Sequence, residues 1–539
     1  MRNLLRIVCI FLVTFSFSQE LVLVKFKDKP LVSHYFSNPT EMLTQKALDR
    51  RLKYNIPLSD TDVPVHGNYI DAVKNLNIPI IVVSKWFNGV FVEIDDFQKS
   101  QIQALDCVLK IESLVKNSVA PKLTNPAPKP DFSHLKTSLS TDIQIEQIGL
   151  NHLHDLNYTG KNISIAVMDA GFPGVNTISA FDRIRANQQI KGGYNFTESN
   201  TNIYSGNGHG TNVLSIIGGY IPGQYTGTAI DADFYLYVTE KNGVEIPQEE
   251  VWWIASAEKA DSLGVDIITT SLGYHTFDDS RYNYTIDDMD GETAFISRGA
   301  QIAAEKGIFV VTSAGNEGNS SWKKVSAPAD AKDVFSVGAV NSSGYSTSFS
   351  SYGPSADGRI KPDVSALGQG TFLVNEWGMV SSGSGTSYSS PIITGAIACL
   401  LQACPEVPPS VLKQKIRESA HLYSNPTNQQ GYGIPDFSSV LKSLFLQEVE
   451  TLQEEAPFVY PNPVKDVLFI NMLSEEEGAV EIQFFTYDGK LIYFKKTILS
   501  SGESHISVFV PHSVRTHHNL IMRLKTPTGK SIARKVLFL

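Results

Sequence analysis

Residues 140–443 constrain the fold of this 539-residue chain most strongly, because two apolar patterns alternate along them. Short runs of consecutive apolar residues lack the polar–apolar alternation of a half-exposed strand, and segments of helical periodicity separate these runs. Apolar strands that alternate with helices are typical of a parallel sheet covered on both faces. The sequence therefore predicts a large α/β domain. The runs lie at 163–168, 234–238, 265–270, 308–312 and 334–340, and the helical segments at 248–262 and 293–306.

The N-terminus carries the pattern of an export signal. Arg2 and Arg6 flank an apolar run at residues 7–15, and small polar residues follow it. A positive region, an apolar region and a small-residue cleavage site are typical of a secretory signal peptide. We predict that residues 1–18 are such a peptide, with a buried first helix as the alternative.

The remaining chain falls into blocks of different composition. Mixed strand-like and helix-like segments indicate a small α+β domain, and a Pro-rich stretch follows it. Pro-rich stretches are extended, exposed linkers. Beyond an acidic stretch, short alternating strands spaced by turns indicate a β-sandwich. The predicted blocks are an α+β domain at 19–118, a linker at 119–138, the α/β domain at 139–445, an acidic linker at 446–456 and a β-sandwich at 457–539.

Charge and cysteine content exclude two classes of protein. The net charge is −10, whereas binding to phosphate requires clustered Lys and Arg, so we expect no nucleic-acid partner. Of the four cysteines, Cys9 leaves with the signal peptide, and the odd number that remains does not suit a small disulfide framework. We expect Cys399 and Cys404 to be packed thiols, with a bridge between them as the alternative.

Three polar residues stand at the ends of predicted elements in the α/β domain. Asp169 follows the run 163–168, at the carboxyl end of a strand, where open α/β sheets bind their ligands. His209 opens a helical pattern, and Ser387 precedes another helix, with Pro391 expected in its first turn. Alone, each residue suits a cap or a turn. Together they suit nucleophilic catalysis, because a histidine can take the serine proton and a carboxylate can fix the histidine tautomer.

The segments around these residues resemble the subtilisin-like serine proteases, the subtilase family. The order Asp, His, Ser is that of subtilisin, and the segments GTSYSSPIITG at 385–395 and HGTNV at 209–213 match the family's serine and histidine motifs. The aspartate segment departs at Ala170, where the family usually has Thr or Ser, so a hydroxyl beside the carboxylate is lost. The resemblance implies a subtilisin-like fold and no cofactor for catalysis. The catalytic residues that it implies are Asp169, His209 and Ser387.

A fourth segment, SAGNEG at 313–318, also matches the family. By resemblance, the side-chain amide of Asn316 and the backbone N–H of Ser387 bind the oxyanion. The segment after the run 265–270 resembles the edge on which the family pairs its substrate as an added strand. Neither residues 271–273 nor residues 313–315 include a carboxylate that could bind a basic side chain of the substrate. We therefore expect a broad or hydrophobic preference for the substrate residue before the scissile bond. The residues implied to bind substrate are Ser271, Leu272, Gly273, Ser313, Ala314 and Gly315.

An acidic loop precedes Gly291. Oxygen-rich loops suit Ca²⁺, and many subtilases bind this ion, but the spacing fits no EF-hand. A solvated acidic loop is therefore the favoured interpretation. A structural Ca²⁺ ion held by Asp287, Asp288 and Asp290 is the alternative.

The flanking domains resemble known parts of secreted subtilases. The α+β domain resembles the propeptides that assist folding and block the cleft, so its partner would be the α/β domain of its own chain. The last block contains YPNPV at 460–464. It resembles the C-terminal sorting domain of type IX secretion, whose partner is the outer-membrane secretion machinery. A generic β-sandwich binding module is the alternative.

These observations predict a secreted or cell-surface serine endopeptidase, made as an inactive precursor, that acts on proteins or peptides. A surface protein that keeps an inactive protease scaffold is one alternative, but such a scaffold needs none of the four site residues. A serine hydrolase that acts on esters is another, but the Gly-x-Ser-x-Gly turn of those enzymes is absent around Ser387.

Overall fold

The computed structural model describes residues 19–116, 141–451, 458–474, 477–499 and 502–538. The predicted signal peptide 1–18 and the predicted linker 119–138 lie outside them. The described chain forms an α+β domain, an α/β domain and a β-rich domain, which confirms the predicted fold class. None of the described helices is both long enough and apolar enough to cross a membrane.

The α+β domain is built on a four-stranded antiparallel sheet with strand order β2-β3-β1-β4. Every second side chain of the central strand β1 faces the same side, and both sides are buried. Val22 and Val24 pack into the domain's own core, whereas Leu21 and Leu23 pack into a core shared with the α/β domain. The elements are β1 (Glu20–Phe26), α1 (Val32–Ser37), α2 (Gln45–Lys53), α3 (Gly67–Lys74), β2 (Ile80–Ser84), β3 (Gly89–Ile94), α4 (Asp96–Gln103) and β4 (Val108–Ser113).

The α/β domain has a seven-stranded parallel sheet with strand order β13-β12-β11-β10-β5-β9-β6. The predicted apolar runs form its central strands, each within two residues of its predicted start. The elements are α5 (Asp142–Glu146), α6 (Leu150–Asp155), β5 (Ser164–Asp169), α7 (Asp182–Ala186), β6 (Ile190–Asn195), α8 (His209–Gly218), β7 (Tyr220–Ile221), β8 (Tyr225–Thr226), β9 (Asp233–Val238), α9 (Gln248–Leu263), β10 (Ile267–Thr270), α10 (Phe295–Glu305), β11 (Phe309–Ser313), β12 (Phe335–Val340), β13 (Val364–Leu367), β14 (Gln369–Val374), β15 (Val380–Ser384), α11 (Thr386–Ala403), α12 (Pro409–Ser419) and α13 (Phe437–Thr451).

Helices cover both faces of this sheet, as the continuous apolar strands predict. Helices α8 and α11 share one core with side chains such as Val167, and α9 and α10 share another with side chains such as Met168. The alternation along β5 therefore places successive side chains on opposite, equally buried faces. Cys399 and Cys404 are buried and neither is in a disulfide bond, which confirms that they are packed thiols.

Two details differ from the sequence predictions. Helix α11 begins at Thr386, before the serine, so Pro391 lies in its second turn rather than its first. Gly385, with a φ of 155°, supplies the turn that starts the helix this early. Helix α13 ends at Thr451, so it passes through the boundary predicted between 445 and 446. Residues 446–451 contain good helix formers and continue the helix.

The C-terminal domain consists of a three-stranded sheet, β16-β17-β20, and a four-stranded sheet, β19-β18-β21-β22. The two sheets enclose one apolar core, as expected for a β-sandwich. Phe485, Ile521 and Ala533 belong instead to the core of the α/β domain. The elements are β16 (Phe458–Tyr460), β17 (Val467–Ser474), β18 (Gly478–Phe485), β19 (Leu491–Leu499), β20 (Gly502–Phe509), α14 (His512–Arg515), β21 (Asn519–Lys525) and β22 (Ser531–Leu537).

Candidate active site

The carboxyl edge of the parallel sheet collects the predicted site residues. Asp169 is the last residue of β5, Ser271 follows β10 and Ser313 ends β11. These three strands are neighbours, and Thr270 pairs with both Met168 and Thr312. The parallel arrangement therefore brings residues that are 42 to 144 positions apart in the chain to one edge.

Asp169 and His209 are in direct contact. His209 is the first residue of α8, and its Nδ1 lies 2.8 Å from Oδ1 of Asp169. The same oxygen accepts a hydrogen bond from the backbone N–H of Ala170 at 2.7 Å. Because the carboxylate can only accept, the proton of a neutral imidazole is held on Nδ1, and Nε2 is left as the basic nitrogen.

The environment of His209 shifts its pKa. Burial of the ring acts to lower this pKa, but the charge of Asp169 and the hydrogen bond to its carboxylate act in the opposite direction and prevail. The pKa of His209 is therefore raised above its ordinary value. A raised pKa makes the imidazole a stronger base in the neutral form.

The second oxygen of Asp169, Oδ2, is buried without a hydrogen-bond partner. Buried carboxylate oxygens normally have partners, because an unsatisfied one costs free energy. Asp169 is itself fully buried. This unpaired oxygen belongs to the residue before Ala170, and Ala170 stands where the family usually has a hydroxyl side chain.

Ser387 is the second residue of α11 and is 9% exposed. Its Oγ donates a hydrogen bond to the carbonyl oxygen of Ser271 at 3.1 Å. The ring of the next residue, Tyr388, has its centroid 6.0 Å from that of His209. The first turn of α11 therefore lies beside the imidazole. Among the described residues, Oγ of Ser387 has its hydrogen bond with Ser271 rather than with the ring of His209. A bond between a serine and a histidine of this kind is often longer in a free enzyme and tightens when substrate binds.

Asn316 is tied to the same turn of α11. Its Oδ1 accepts hydrogen bonds from the backbone N–H of Thr386 at 2.9 Å and from the Thr386 hydroxyl at 3.0 Å. The amide oxygen is thereby oriented, and Nδ2 remains as a donor. A side chain at Gly385 would place its Cβ 3.6 Å from Nδ2, in van der Waals contact with this amide.

The two predicted substrate segments differ in exposure. Gly273 is exposed and Leu272 half-buried, so the chain after β10 presents its main chain at the surface. In contrast, Ala314 is buried in a small cluster with Val325 and Ala329. Ala314 therefore packs beneath the segment 313–315 and contributes no exposed side chain to it.

The structure does not bring the predicted calcium ligands together. Asp288 accepts hydrogen bonds from the N–H and hydroxyl of Thr285, and Asp290 accepts them from the N–H and hydroxyl of Thr293. These carboxylates cap their own loop. Calcium at Asp287, Asp288 and Asp290 stays the untested alternative to a solvated acidic loop.

Three glutamates elsewhere in the α/β domain do lie close together, although the sequence did not lead us to expect it. Glu240, Glu245 and Glu249 place one carboxylate oxygen each within 4.8 Å of one another, the one such group among the described residues. Burial and the neighbouring negative charges raise the pKa of Glu245 to about 8 and, chiefly through burial, that of Glu249 to about 7. Glu249 accepts hydrogen bonds from the N–H groups of Lys241 and Ile246. The signal in the sequence was Glu240, two residues beyond the end of β9, followed by Glu245 and Glu249 within nine positions.

Comparison with known proteins decides the family. The model of the subtilase family matches residues 160–433. The chain belongs to the subtilase family. Two further models match, for the S8 propeptide domain of Bacteroidota at 21–129 and for a secretion system C-terminal sorting domain at 458–510. The chain is thus a subtilase with a propeptide, and its sorting domain indicates export to the cell surface or the exterior.

Two relatives in sequence agree with this assignment. The chain is 30% identical to Subtilisin from Bacillus pumilus over 292 residues, which cover 54% of this chain and 94% of that protein. It is 32% identical to Subtilisin NAT from Bacillus subtilis subsp. natto over 285 residues, 52% of this chain but only 66% of that protein, just under two thirds. A solved structure, the MycP3 protease from the type VII (ESX-3) secretion system, aligns with a TM-score of 0.46 at 20% identity, covering 57% of this chain and 91% of that one.

Proposed function

We propose that this subtilase is a secreted serine endopeptidase, made as an inactive precursor, that hydrolyses peptide bonds in proteins through an acyl-enzyme. The observation that carries the proposal is the 2.8 Å contact between Nδ1 of His209 and Oδ1 of the buried Asp169, beside the helix that carries Ser387. A histidine oriented in this way is the base that a serine nucleophile requires.

In the proposed reaction, Oγ of Ser387 attacks the carbonyl carbon of the scissile bond while Nε2 of His209 takes its proton. The carboxylate of Asp169 stabilises the imidazolium that forms. His209 then donates the proton to the departing amine nitrogen, which leaves an ester on Ser387. Water hydrolyses this ester with His209 again acting as base, and the serine is regenerated. The chemistry needs no cofactor.

Asn316 and the backbone N–H of Ser387 are the proposed donors to the oxyanion. Negative charge develops on the carbonyl oxygen in the transition state, and donors that are already oriented stabilise it without reorganisation. The two hydrogen bonds from Thr386 to Oδ1 of Asn316 support this role, because they turn the Nδ2 donor away from Thr386. The N-terminus of α11 favours the same negative charge.

The main chain of Ser271, Leu272 and Gly273 is the proposed binding edge for substrate, which adds to it as a strand. The exposure of Gly273 supports this proposal. Pairing through the main chain is compatible with many side chains. A broad or hydrophobic preference before the scissile bond accordingly stays our prediction.

We further propose that the propeptide inhibits the enzyme and assists its folding. Its sheet packs on α9 and α10, where the rings of Phe87 and Phe91 each lie 5.8 Å from that of Phe295. The carboxylate of Glu258 on α9 accepts hydrogen bonds from the N–H groups of Lys85 at 2.9 Å and Trp86 at 3.2 Å. A long apolar interface of this kind gives the slow-folding α/β sheet a template.

A buried ionic network forms a second contact with the propeptide. On α2, Arg50 lies 2.5 Å and Arg51 2.9 Å from the carboxylate of Asp261 at the end of α9. Asp62 of the propeptide joins the network through Arg51 at 2.5 Å and through Lys306 of the α/β domain at 3.0 Å. Charges this deeply buried must remain paired. We propose that this network fixes the position of the propeptide on the enzyme.

The proposed partner of the C-terminal domain is the outer-membrane machinery of type IX secretion. The match to a secretion sorting domain supports this partner. Export would place the enzyme where its substrates, proteins or peptides outside the cell, are available.

Labelling with a serine-directed fluorophosphonate, followed by peptide mapping, tests the proposed activity. We expect the label on Ser387, cleavage of casein, and neither label nor cleavage in the Ser387→Ala variant. A simple ester serves as the comparison substrate, because an esterase would cleave the ester and leave casein intact. A folded, secreted protein that takes no label would favour the inactive-scaffold alternative.

A further inference from the structure

Ser271 and Ser387 exchange two hydrogen bonds. Oγ of Ser387 donates to the carbonyl oxygen of Ser271 at 3.1 Å, and Oγ of Ser271 donates to the carbonyl oxygen of Ser387 at 2.9 Å. Both residues are buried, at 5% and 9% exposure. The first bond involves the hydroxyl of Ser387, which is the proposed nucleophile, whereas the second involves the main-chain carbonyl of the same residue.

The carbonyl of Ser387 needs an outside donor because of Pro391. In an α-helix, each carbonyl accepts from the N–H four residues later, and the residue four after Ser387 is Pro391, inside α11. Proline has no N–H to donate. A buried carbonyl without a partner would be costly. The hydroxyl of Ser271 supplies the donor that the helix cannot.

We propose that Ser271 is a positioning residue, whose hydroxyl fixes the main chain of Ser387 from the neighbouring strand. This inference rests on the proposed function. Ser271 directly follows β10, and β10 pairs with β5, which ends in Asp169. The hydroxyl therefore holds the nucleophile relative to the sheet that carries Asp169. Without it, the carbonyl of Ser387 would lose the hydrogen bond that takes the place of the one Pro391 cannot donate.

A second contact between the same strand and the same helix offers a matched comparison. The hydroxyls of Thr269 on β10 and Thr394 on α11 lie 2.8 Å apart and are buried. Thr394 lies two turns beyond Ser387. Loss of this bond should weaken the packing of β10 on α11 without altering the carbonyl of Ser387.

The test is a double-mutant cycle on the full-length precursor, matured by itself, with kcat and KM measured on one peptide substrate. Ser271→Ala should lower kcat about tenfold, the effect of one hydrogen bond, and leave KM within about twofold. Pro391→Ala introduces an N–H that can serve the carbonyl of Ser387. In the Pro391→Ala background, Ser271→Ala should therefore lower kcat by no more than about threefold.

Thr269→Val serves as the control, and all variants are compared by thermal midpoint. We expect Thr269→Val to lower the midpoint as much as Ser271→Ala does while its kcat stays within about twofold of wild type. If Ser271→Ala does not mature, Ser271→Thr, which keeps the hydroxyl, should mature and retain kcat. An equal loss of kcat in both Pro391 backgrounds, or a rise in KM alone, would overturn the positioning role. Failure of the wild type to cleave peptide would instead refute the proposed function.

Discussion

One carboxylate oxygen of Asp169 is bonded to His209 at 2.8 Å, while the other is buried with no hydrogen-bond partner. The two oxygens of one side chain thus have opposite environments. The bonded oxygen governs the proton affinity of the imidazole. The unbonded oxygen lowers the stability of the fold locally, because a buried carboxylate oxygen normally has a partner. Each oxygen leads to a separate prediction.

The bonded oxygen predicts the pH dependence of the enzyme. Only neutral His209 can accept the serine proton, so kcat/KM should fall as pH drops through its pKa. Because Asp169 raises that pKa, the acid limb should lie above ~6.5, the ordinary histidine value. Asp169→Asn should move the limb down and lower kcat by about 10⁴. A pH profile of peptide hydrolysis measures both effects, and an unmoved limb in the variant would contradict the assignment.

The unbonded oxygen predicts a stabilising substitution. Ala170→Ser introduces a hydroxyl beside Oδ2 of Asp169 and should raise the free energy of unfolding by about 1 kcal/mol. The new bond also stabilises the carboxylate charge, so the acid limb of kcat/KM should move slightly down. Ala170→Cys, nearly equal in size but a weak donor, is the control. Urea unfolding in a Ser387→Ala background avoids self-digestion, and equal stability of the two variants would argue against a bond to Oδ2.

Asn316 provides a test of oxyanion stabilisation. Asn316→Ala removes the Nδ2 donor and should lower kcat on the order of 10²–10³-fold with little change in KM, because the bond strengthens only in the transition state. Thr386→Val removes one of the two bonds that orient the amide but keeps the backbone donor. We expect a smaller loss of kcat in Thr386→Val. If KM rises and kcat holds in Asn316→Ala, the residue binds substrate rather than the oxyanion.

The buried ionic network predicts how firmly the propeptide is held. Arg50→Ala removes one of the cationic partners of the Asp261 carboxylate, which is fully buried. Breaking a buried pair costs about 3–5 kcal/mol, so the affinity of the propeptide should fall about 100-fold or more. The lag before activity appears should therefore shorten in the maturing precursor. The mature enzyme keeps its sequence, so its kcat should be unchanged.

An exposed ion pair of the same domain is the control for this experiment. Lys74 and Asp71 lie 3.8 Å apart at the surface, where such pairs contribute little. Lys74→Ala should leave the lag as it is. Equal lags in wild type and Arg50→Ala would show that apolar packing alone retains the propeptide.

The sheet and the positions of its polar residues follow from the sequence because local patterns encode them. Apolar runs locate the strands, and a parallel order then brings Asp169, Ser271 and Ser313 to one edge. The match of whole motifs to the subtilase family adds what no periodicity contains, namely the chemical roles that we propose for these side chains.

Other features depend on contacts that local patterns do not contain. Arg50 and Asp261 are 211 positions apart, and nothing around either residue indicates that they are buried together. Likewise, the start of α11 at Thr386 depends on bonds to Asn316, 70 positions earlier. The group around Glu240 depends on how the loop after β9 folds back on α9. Chain-distant pairs of this kind require the three-dimensional structure.

The propeptide sheet is apolar on both faces, with Val22 and Val24 turned toward its own helices and Leu21 and Leu23 toward the enzyme. Once cut free, such a sheet would expose the second face to water and lose much of what holds it flat. A loosened strand is also what a protease accepts. In the proposed maturation, a released propeptide would then be a substrate of the enzyme that it inhibited, so each activated molecule would speed the activation of the next.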